Sequence, residues 1–241
     1  MKFGVFSDIH SNFEALTAVL DDMTRIGVTH PVCLGDIVGY NANPKECLKV
    51  VRELGCPIVK GNHDEMVSAT SEAKNYNAMA GEGIAFSREA LNEEEKSFLR
   101  KIPMKRRVQG YTIVHSSLDD PENWNYISSA LEAGNSFIYQ FTQLCFIGHT
   151  HVAQIFLKEG DVRELNHDRP VELAKSSRYL VNVGSVGQPR DHNWKSSYVV
   201  FDINKNTIEF RRVPYDLEKT QKKIIDAGLP HEIAERLQHA V

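Results

Sequence analysis

Apolar and polar positions follow a regular rhythm through the first sixty residues of the chain. Three short apolar runs, KFGVF, PVCLG and PIVKG, are typical of buried β-strands. Between them lie two stretches in which apolar residues recur at helical spacing, and these predict two amphipathic helices. The resulting βαβαβ order predicts parallel strands joined by right-handed crossovers.

Local signals predict where these two helices begin and end. Ser11 and Glu14 have the spacing of a capping box, which predicts that the first helix opens at Ser11 and stops before Gly27. The second helix is predicted to have Asn43 as its N-cap and to end at Gly55.

The pattern changes after the third strand. Residues from about 65 to 100 are mainly polar and helical, and the runs YTIVH and QLCFIGH then predict two further strands with a helix between them. After His151 the chain is dominated by β patterns, including a hairpin over 196–213. These elements predict one α/β domain over residues 1–241, with a second, mostly antiparallel sheet. A helical insert at about 65–100 and a small helical appendage at about 215–241 complete the prediction.

Composition narrows the classes of function. The chain is 41% hydrophobic and 25% charged with a formal charge of −4, so it lacks the basic excess that duplex nucleic acid requires. The beginning of the sequence shows neither a secretory leader nor a spanning helix, which predicts a cytoplasmic protein with no membrane partner. The cysteines form no paired motif, and we expect free thiols in a reducing compartment. Nothing in the composition indicates an oligomeric state.

Polar side chains follow each predicted strand directly. Ligands of open α/β sheets bind outside the carboxyl ends of the strands, so we expect these side chains to meet at one edge. For each motif alone, the alternative is a polar turn at the surface. The side chains are Asp8, His10, Asp36, Asn62, His63, Asp64, His115, His149 and His151.

The chemistry of this set favours a pair of metal ions. Seven of these residues offer two carboxylates, one amide and four imidazoles without a thiolate, a mixture that suits manganese, iron, zinc or nickel better than calcium or magnesium. Two ions that share one carboxylate would use all seven. We expect Asp-x-His and His-x-His to be extended, so that His149 and His151 each face a different ion. Two divalent ions then leave about two positive charges for a phosphate ester and a bridging hydroxide.

As a set, these motifs resemble the signature of the calcineurin-like metallophosphoesterases. GDIVGYNANPKEC and GSVGQPRD are similar to the small bacterial and archaeal branch of YfcE-like and diadenosine tetraphosphatase-like phosphodiesterases, and the resemblance spans nearly the whole chain. It implies a four-layer αββα sandwich and two divalent ions, with manganese expected first. It also implies that Asp36 bridges one ion held by Asp8, His10 and His151 and a second held by Asn62, His115 and His149.

The resemblance further implies roles around the metal centre. His63 would contact the phosphate and protonate the leaving oxygen, with Asp64 as its orienting partner; the alternative is a structural loop histidine. Arg190 is the basic candidate for a substrate phosphate, or else a structural arginine. Tyr40 would either stack on a base or cap the core.

Three functions remain open on this reading. The leading one is hydrolysis of a small phosphate ester, nucleotides included, by a metal-bridging hydroxide. The second is a non-catalytic scaffold of the same fold that binds metal and protein partners. The third is a phosphoprotein phosphatase. The sequence does not choose between monoesters and diesters.

Overall fold

A computed structural model describes residues 1–70 and 78–241 of the chain. Within them, the strands are Lys2–Phe6 (β1), His30–Cys33 (β2), Lys105–Val108 (β3), Tyr111–Val114 (β4), Leu144–Ile147 (β5), Ala153–Glu159 (β6), Asp161–Glu164 (β7), Val171–Glu172 (β8), Arg178–Val183 (β9), Ser196–Asp202 (β10) and Thr207–Val213 (β11). The helices are Phe13–Arg25 (α1), Pro44–Leu54 (α2), Asn62–Ser68 (α3), Ala78–Ala90 (α4), Glu93–Lys101 (α5), Ala130–Tyr139 (α6), Leu217–Asp226 (α7) and His231–His239 (α8). Part of the helical insert predicted at about 65–100, residues 71–77, lies outside the described residues.

The strands form two mixed sheets. The first has the order β2-β1-β10-β11-β8 and the second the order β3-β4-β5-β9-β6-β7. Strands β1 and β2 are parallel, as are β4, β5 and β9, and the other pairs are antiparallel. Within the described strands, three of the five pairings in the second sheet are antiparallel, as expected of a mostly antiparallel sheet, but so are three of the four in the first. In the first sheet this is because β10 pairs with the free edge of β1, so β4 and β5 begin a sheet of their own.

Hydrophobic contacts stack the two sheets face to face between helices. One buried cluster lies between the sheets and takes Phe3 and Phe201 from the first and Phe146 from the second. Helices α1, α2 and α5 cover the outer face of the first sheet, where Leu16 packs in a cluster with β-strand residues. Helix α6 covers the outer face of the second sheet through Phe137. The four-layer αββα sandwich is confirmed.

Two local predictions are corrected. The segment PIVKG forms a single parallel bridge, Cys33 to Ile58, because Pro57 has no N–H to donate and the N–H of Lys60 bonds instead to the Pro103 carbonyl, at 2.9 Å. The N-cap of α1 is Asn12, whose side chain accepts a hydrogen bond from the N–H of Ala15 at 3.1 Å.

The last two helices lie beside the loop that follows β2. Ile224 of α7 and Ile233 and Leu237 of α8 share a buried cluster with Tyr40. The C-terminal segment is thus packed against a residue that the sequence placed at the site. Across the described residues, no helix combines the length and the apolar character needed to cross a bilayer.

Candidate metal centre

Six of the seven predicted metal ligands lie together where the carboxyl ends of strands from both sheets meet, and Asn62 is buried at the first position of α3, next to His63 in the chain. Asp8 and Asp36 follow strands of the first sheet, whereas His115 and His149 follow strands of the second. The expectation of one edge of one sheet is corrected to two adjoining edges, because the sheets are stacked. All seven residues are at most 9% exposed.

The backbone at these residues is left-handed and not extended. Asp8, His10, Asp36, His149 and His151 have φ values of 54°, 48°, 51°, 70° and 62°. The predicted extended geometry of Asp-x-His and His-x-His is therefore wrong, although each pair does reach the site. Left-handed φ is uncommon for residues other than glycine, and clusters of it mark functional sites.

One group of donors consists of Asp8, His10 and His151. The Nε2 atoms of His10 and His151 are 3.0 Å apart, and Oδ1 of Asp8 lies 3.2 Å from Nε2 of His151. Nε2 of His10 is 3.8 Å from the same carboxylate oxygen. Three ligand atoms thus point at a common volume large enough for one ion.

A second group consists of Asp36, His115 and His149, and its ligand atoms lie within 4.8 Å of one another. Oδ2 of Asp36 is 3.4 Å from Nε2 of His115 and 3.5 Å from Nε2 of His10, so this carboxylate lies between the two groups. His149 and His151 fall in different groups. A third group of the same kind joins His10 and Asp36 to His63.

Backbone carbonyls fix the tautomers of the imidazoles. Nδ1 of His10, His115 and His151 lies 3.2, 2.8 and 2.6 Å from the carbonyl oxygens of Val38, Leu34 and Gln188, in that order. A carbonyl only accepts hydrogen bonds, so each Nδ1 is protonated and each neutral ring has its Nε2 lone pair directed into the site. His149 has the opposite tautomer. Its Nε2 lies 2.8 Å from the carbonyl oxygen of Trp124, so Nδ1 is the nitrogen that would ligate a metal.

Each carboxylate has one oxygen held by the backbone and one directed at the imidazoles. Oδ2 of Asp8 accepts a hydrogen bond from the N–H of His149 at 3.0 Å, and Oδ1 of Asp36 accepts one from the N–H of His63 at 2.8 Å. Oδ1 of Asp8, Nε2 of His115 and Oδ1 of Asn62 are buried without a hydrogen-bond partner among the described residues. Buried polar atoms without partners are costly, and divalent cations bound at the two groups would satisfy them. The residues present therefore fit a metal centre.

The pKa values of the histidines in the metal-free site reflect their burial and the two buried carboxylates beside them. Burial by itself lowers the pKa of His115, but Asp36 and Asp8 outweigh it and raise that pKa to about 9. Burial lowers the pKa of His149 to about 3. In the metal-free protein, one imidazolium thus supplies positive charge between the two carboxylates.

His63 and Asp64 do not form the predicted pair. The carboxylate of Asp64 accepts hydrogen bonds from the N–H groups of Asp36, Ile37 and Gly61 at 2.8, 2.9 and 3.1 Å. Asp64 is the third residue of α3, and its carboxylate accepts the N–H of the N-cap residue Gly61, which is why its oxygens turn to the backbone and away from the ring of His63. Burial and the neighbouring Asp36 raise the pKa of Asp64 above its ordinary value.

The ring of His63 lies between other rings at the site. Its centroid is 4.6 Å from that of His10 and 4.7 Å from that of Tyr40. Nδ1 of His63 is buried and has no hydrogen-bond partner among the described residues. Beside it, Arg190 donates to the side chain of Gln188 at 2.9 Å and to the hydroxyl of Tyr40 at 3.4 Å. The structure thus brings His63, Tyr40 and Arg190 to the site.

The loop after β9 holds the site in place, a role that the sequence did not predict. The hydroxyl of Ser185 and the N–H of Gly187 donate to the carbonyl of Asp8 at 2.8 and 2.9 Å. Together with Gln188, these residues fix the strained turn at Asp8 and the ring of His151. The motif GSVGQPRD was the available signal. Tyr126 stacks on His149 with centroids 4.3 Å apart.

An αββα sandwich with a buried cluster of Asp, His and Asn donors at the adjoining edges of its sheets defines a metallophosphoesterase. The family model described as the calcineurin-like phosphoesterase superfamily domain matches residues 1–206. The chain belongs to this superfamily.

Individual relatives agree with this assignment. The uncharacterized protein MJ0912 of Methanocaldococcus jannaschii is 38% identical over 237 residues, which cover 97% of this chain and 96% of that protein. A metallophosphoesterase from Sphaerobacter thermophilus is 34% identical, with a TM-score of 0.89 and full coverage of both chains. The protein PH1004 of Pyrococcus horikoshii shares the fold at 19% identity, with a TM-score of 0.80 over all of this chain and 98% of its own.

Proposed function

We propose that this protein hydrolyses small phosphate esters with two divalent transition-metal ions. One ion would be held by Asp8, His10 and His151, the other by Asn62, His115 and His149, with Asp36 between them. The observation that carries the proposal is the presence of two neighbouring buried clusters, Asp8 with His10 and His151 and Asp36 with His115 and His149, each with its ligand atoms within 4.8 Å of one another.

The ions would neutralise the charge of the phosphate and lower the pKa of an attacking water. The chain itself supplies the surroundings. The ring of His63 lies in a cluster with His10 and Asp36, from which it would contact a substrate oxygen and assist the departure of the leaving group. Burial lowers the pKa of His63 to about 4, so the ring is neutral until a bound phosphate brings its negative charge close. Asp64 is a positioning residue, since its carboxylate holds the loop of Asp36.

The alternative of a scaffold without activity is less well supported. All seven predicted donors are present and buried in the site, whereas a scaffold has no need to keep a full set of strained ligands. We do not propose a phosphoprotein phosphatase, because no contact among the described residues points to a peptide substrate.

The test uses bis(p-nitrophenyl) phosphate as a generic ester and untagged protein loaded in turn with manganese, iron, zinc or nickel. We expect hydrolysis, fastest with manganese, and about two ions per chain by elemental analysis. Asp36→Asn should reduce kcat at least about a thousandfold, because both ions lose a shared ligand. The matched control is Asp161→Asn on the exposed strand β7, which should retain activity.

Full activity in folded Asp36→Asn would contradict the two-ion proposal. Bound ions without hydrolysis of any phosphate ester would instead favour the scaffold.

A further inference from the structure

Helix α6 carries apolar side chains on two opposite faces. Its inner face packs on the second sheet, where Phe137 is 1% exposed. On its outer face Leu131 and Ile138 are 86% and 70% exposed, and Phe141, just beyond the helix, is 92% exposed. A surface helix of a globular protein normally has one apolar stripe and a polar face towards solvent. The outer face of α6 therefore has the composition of a buried surface, but no part of the described chain covers it.

The spacing of the residues on this outer face is the same in both directions along the helix. Leu131, Gly134, Ile138 and Phe141 are separated by three, four and three positions, the intervals at which paired helices meet. A Cβ added at Gly134 would meet nothing within 4 Å, so the space above it is open. In an antiparallel pair of two α6 helices, Leu131 of one copy would oppose Phe141 of the other, and Gly134 would oppose Ile138. Large and small residues then face each other across the contact, as close packing requires.

The charges at the two ends of α6 are complementary in the same arrangement. A groove of about 310 Å³ beside Phe141 is lined by three cations, Lys105, Arg106 and Arg107. Glu132 is exposed in the first turn of α6, at the other end of the helix. None of these four charges belongs to an ion pair between residues that the structure describes. An antiparallel pair would bring Glu132 of each copy towards the groove of the other, whereas a parallel pair would place like charges together.

A second copy of this chain fits the outer face of α6 better than an anionic membrane does. Lipid headgroups would attract the cations of the groove but would repel Glu132, which is next to Leu131 on the same helix. The contact uses no proposed metal ligand, because those residues follow strands, whereas α6 packs on the outer face of the second sheet. The inference is therefore independent of the proposed function.

We propose that two copies of this chain associate through α6 in an antiparallel pair with two-fold symmetry. Both copies use the same surface, and Glu132 of each copy lies at the basic groove of the other. Because the contact is symmetric, it is closed and forms a dimer, without an open chain of further copies.

The test measures the molar mass of the untagged protein by light scattering over a series of concentrations. We expect the wild-type protein to be a dimer. Ile138→Glu should raise the Kd of the dimer at least about a hundredfold, because each copy then buries a carboxylate against an apolar surface. Ile225→Glu on α7 is the matched control, since Ile225 is also exposed, and it should leave this Kd unchanged. Circular dichroism checks that both variants are folded.

Two further experiments test the antiparallel orientation. Arg107→Glu alone should weaken the dimer, and its combination with Glu132→Lys should restore it, because the charges of the two ends are then exchanged. Asn135→Cys is exposed beside the midpoint of the outer face and should form a disulfide-linked dimer under mild oxidation. The matched control is Lys49→Cys on α2, in the opposite outer layer of the sandwich, which should not cross-link.

A monomeric wild-type protein at every concentration would overturn the inference. A dimer that Ile138→Glu leaves intact would overturn it as well, since another surface would then be the interface. A dimer in which Asn135→Cys does not cross-link, or which the exchanged charges do not restore, would overturn the antiparallel pairing. Binding of monomeric wild-type protein to vesicles of anionic phospholipid, lost in Ile138→Glu, would identify a membrane as the partner of α6 instead.

Discussion

At the scale of single residues, the site is built from backbone conformations that side chains disfavour. Five of the seven proposed ligands have positive φ, at a cost of about 1–3 kcal/mol for each strained residue. Hydrogen bonds to Asp8 from Ser185, Gly187 and His149 hold one of these turns. Close packing also requires glycine nearby, and Gly39 is the clearest case.

Replacement of Gly39 by alanine should impair catalysis more than stability. Gly39 has a φ of +90°, and a Cβ there would lie 2.3 Å from Nδ1 of His63. Gly110 has a φ of +92° with nothing within 4 Å, so Gly110→Ala is a matched control for the backbone alone. Gly110→Ala should lose about 1 kcal/mol of unfolding free energy, and Gly39→Ala should lose more because the ring of His63 must also shift, as measured by urea denaturation. Only Gly39→Ala should lower kcat, at least about tenfold, because His63 is displaced. Equal kcat values would show that His63 has no part in the reaction.

The residues that meet at the candidate site were predictable from the sequence, whereas their geometry was not. Donor residues at strand ends identified Asp8, Asp36 and His149 without knowledge of contacts. The left-handed backbone was not predictable, because it is imposed by loops far along the chain, such as the one at Ser185. The position of Asp64 had a local signal, since it is the third residue after the N-cap Gly61 and accepts its N–H, but the bonds to the loop of Asp36 are tertiary.

At the scale of elements, hydrogen bonds of the buried Asp22 side chain fix α1 to the first sheet. The carboxylate of Asp22 accepts hydrogen bonds from the hydroxyl of Tyr198 on β10 at 2.6 Å and from Nε of Arg211 on β11 at 2.9 Å. Arg25 adds an ion pair from the same helix. Burial raises the pKa of Asp22, but the hydrogen bonds from Arg211 and Tyr198 outweigh it and hold that pKa below its ordinary value.

These contacts of Asp22 predict that the stability difference between the wild-type protein and Asp22→Asn depends on pH. The contribution of a carboxylate with a lowered folded-state pKa is complete above the unfolded-state pKa of about 3.9 and disappears as the pH falls through the folded-state pKa. Asp22→Asn should therefore lose about 2–3 kcal/mol of unfolding free energy at pH 7 and progressively less below pH about 3.9. Urea titrations across this range measure the difference. The exposed neighbour in Asp21→Asn should show no comparable loss, and a deficit constant with pH would refute the ionic origin.

Helices and strands with a regular hydrophobic pattern were predicted from the sequence, whereas those with a weak hydrophobic pattern were missed. Both helices of the tail and the hairpin of β10 and β11 were predicted, since their apolar spacing is regular. Strands β3, β7 and β8 are short and lie at sheet edges, mostly exposed, so they carry little hydrophobic signal. Their pairing depends on partners that the local sequence does not specify.

At the scale of the whole molecule, the site joins segments that are more than a hundred residues apart along the chain. The residues that hold the proposed ions extend from Asp8 to His151, and the C-terminal helices reach the site through Tyr40. The single-domain organisation over 1–241 stays a prediction. The strained turns and unpartnered donors together predict that metal strengthens the fold.

Removal of metal should destabilise the protein globally. A ligand that binds only the folded state at a free concentration of 100 times its Kd adds about 2.7 kcal/mol, so thermal melting with Mn²⁺ should occur several degrees above melting after chelation. Asp36→Asn should show little of this difference, since it lacks the shared ligand. A similar rise in the variant would mean that manganese stabilises the chain elsewhere.

The origin of the donors in two separate sheets has a consequence for assembly. Neither sheet alone provides all the proposed ligands, because Asp8 and Asp36 follow strands of the first and His115 and His149 follow strands of the second. The affinity for the proposed ions should therefore depend strongly on how the two sheets are aligned. The ring of Phe146 lies between the sheets, with its centroid 6.1 Å from that of Phe201. A substitution at Phe146 should therefore weaken metal binding before it unfolds either sheet.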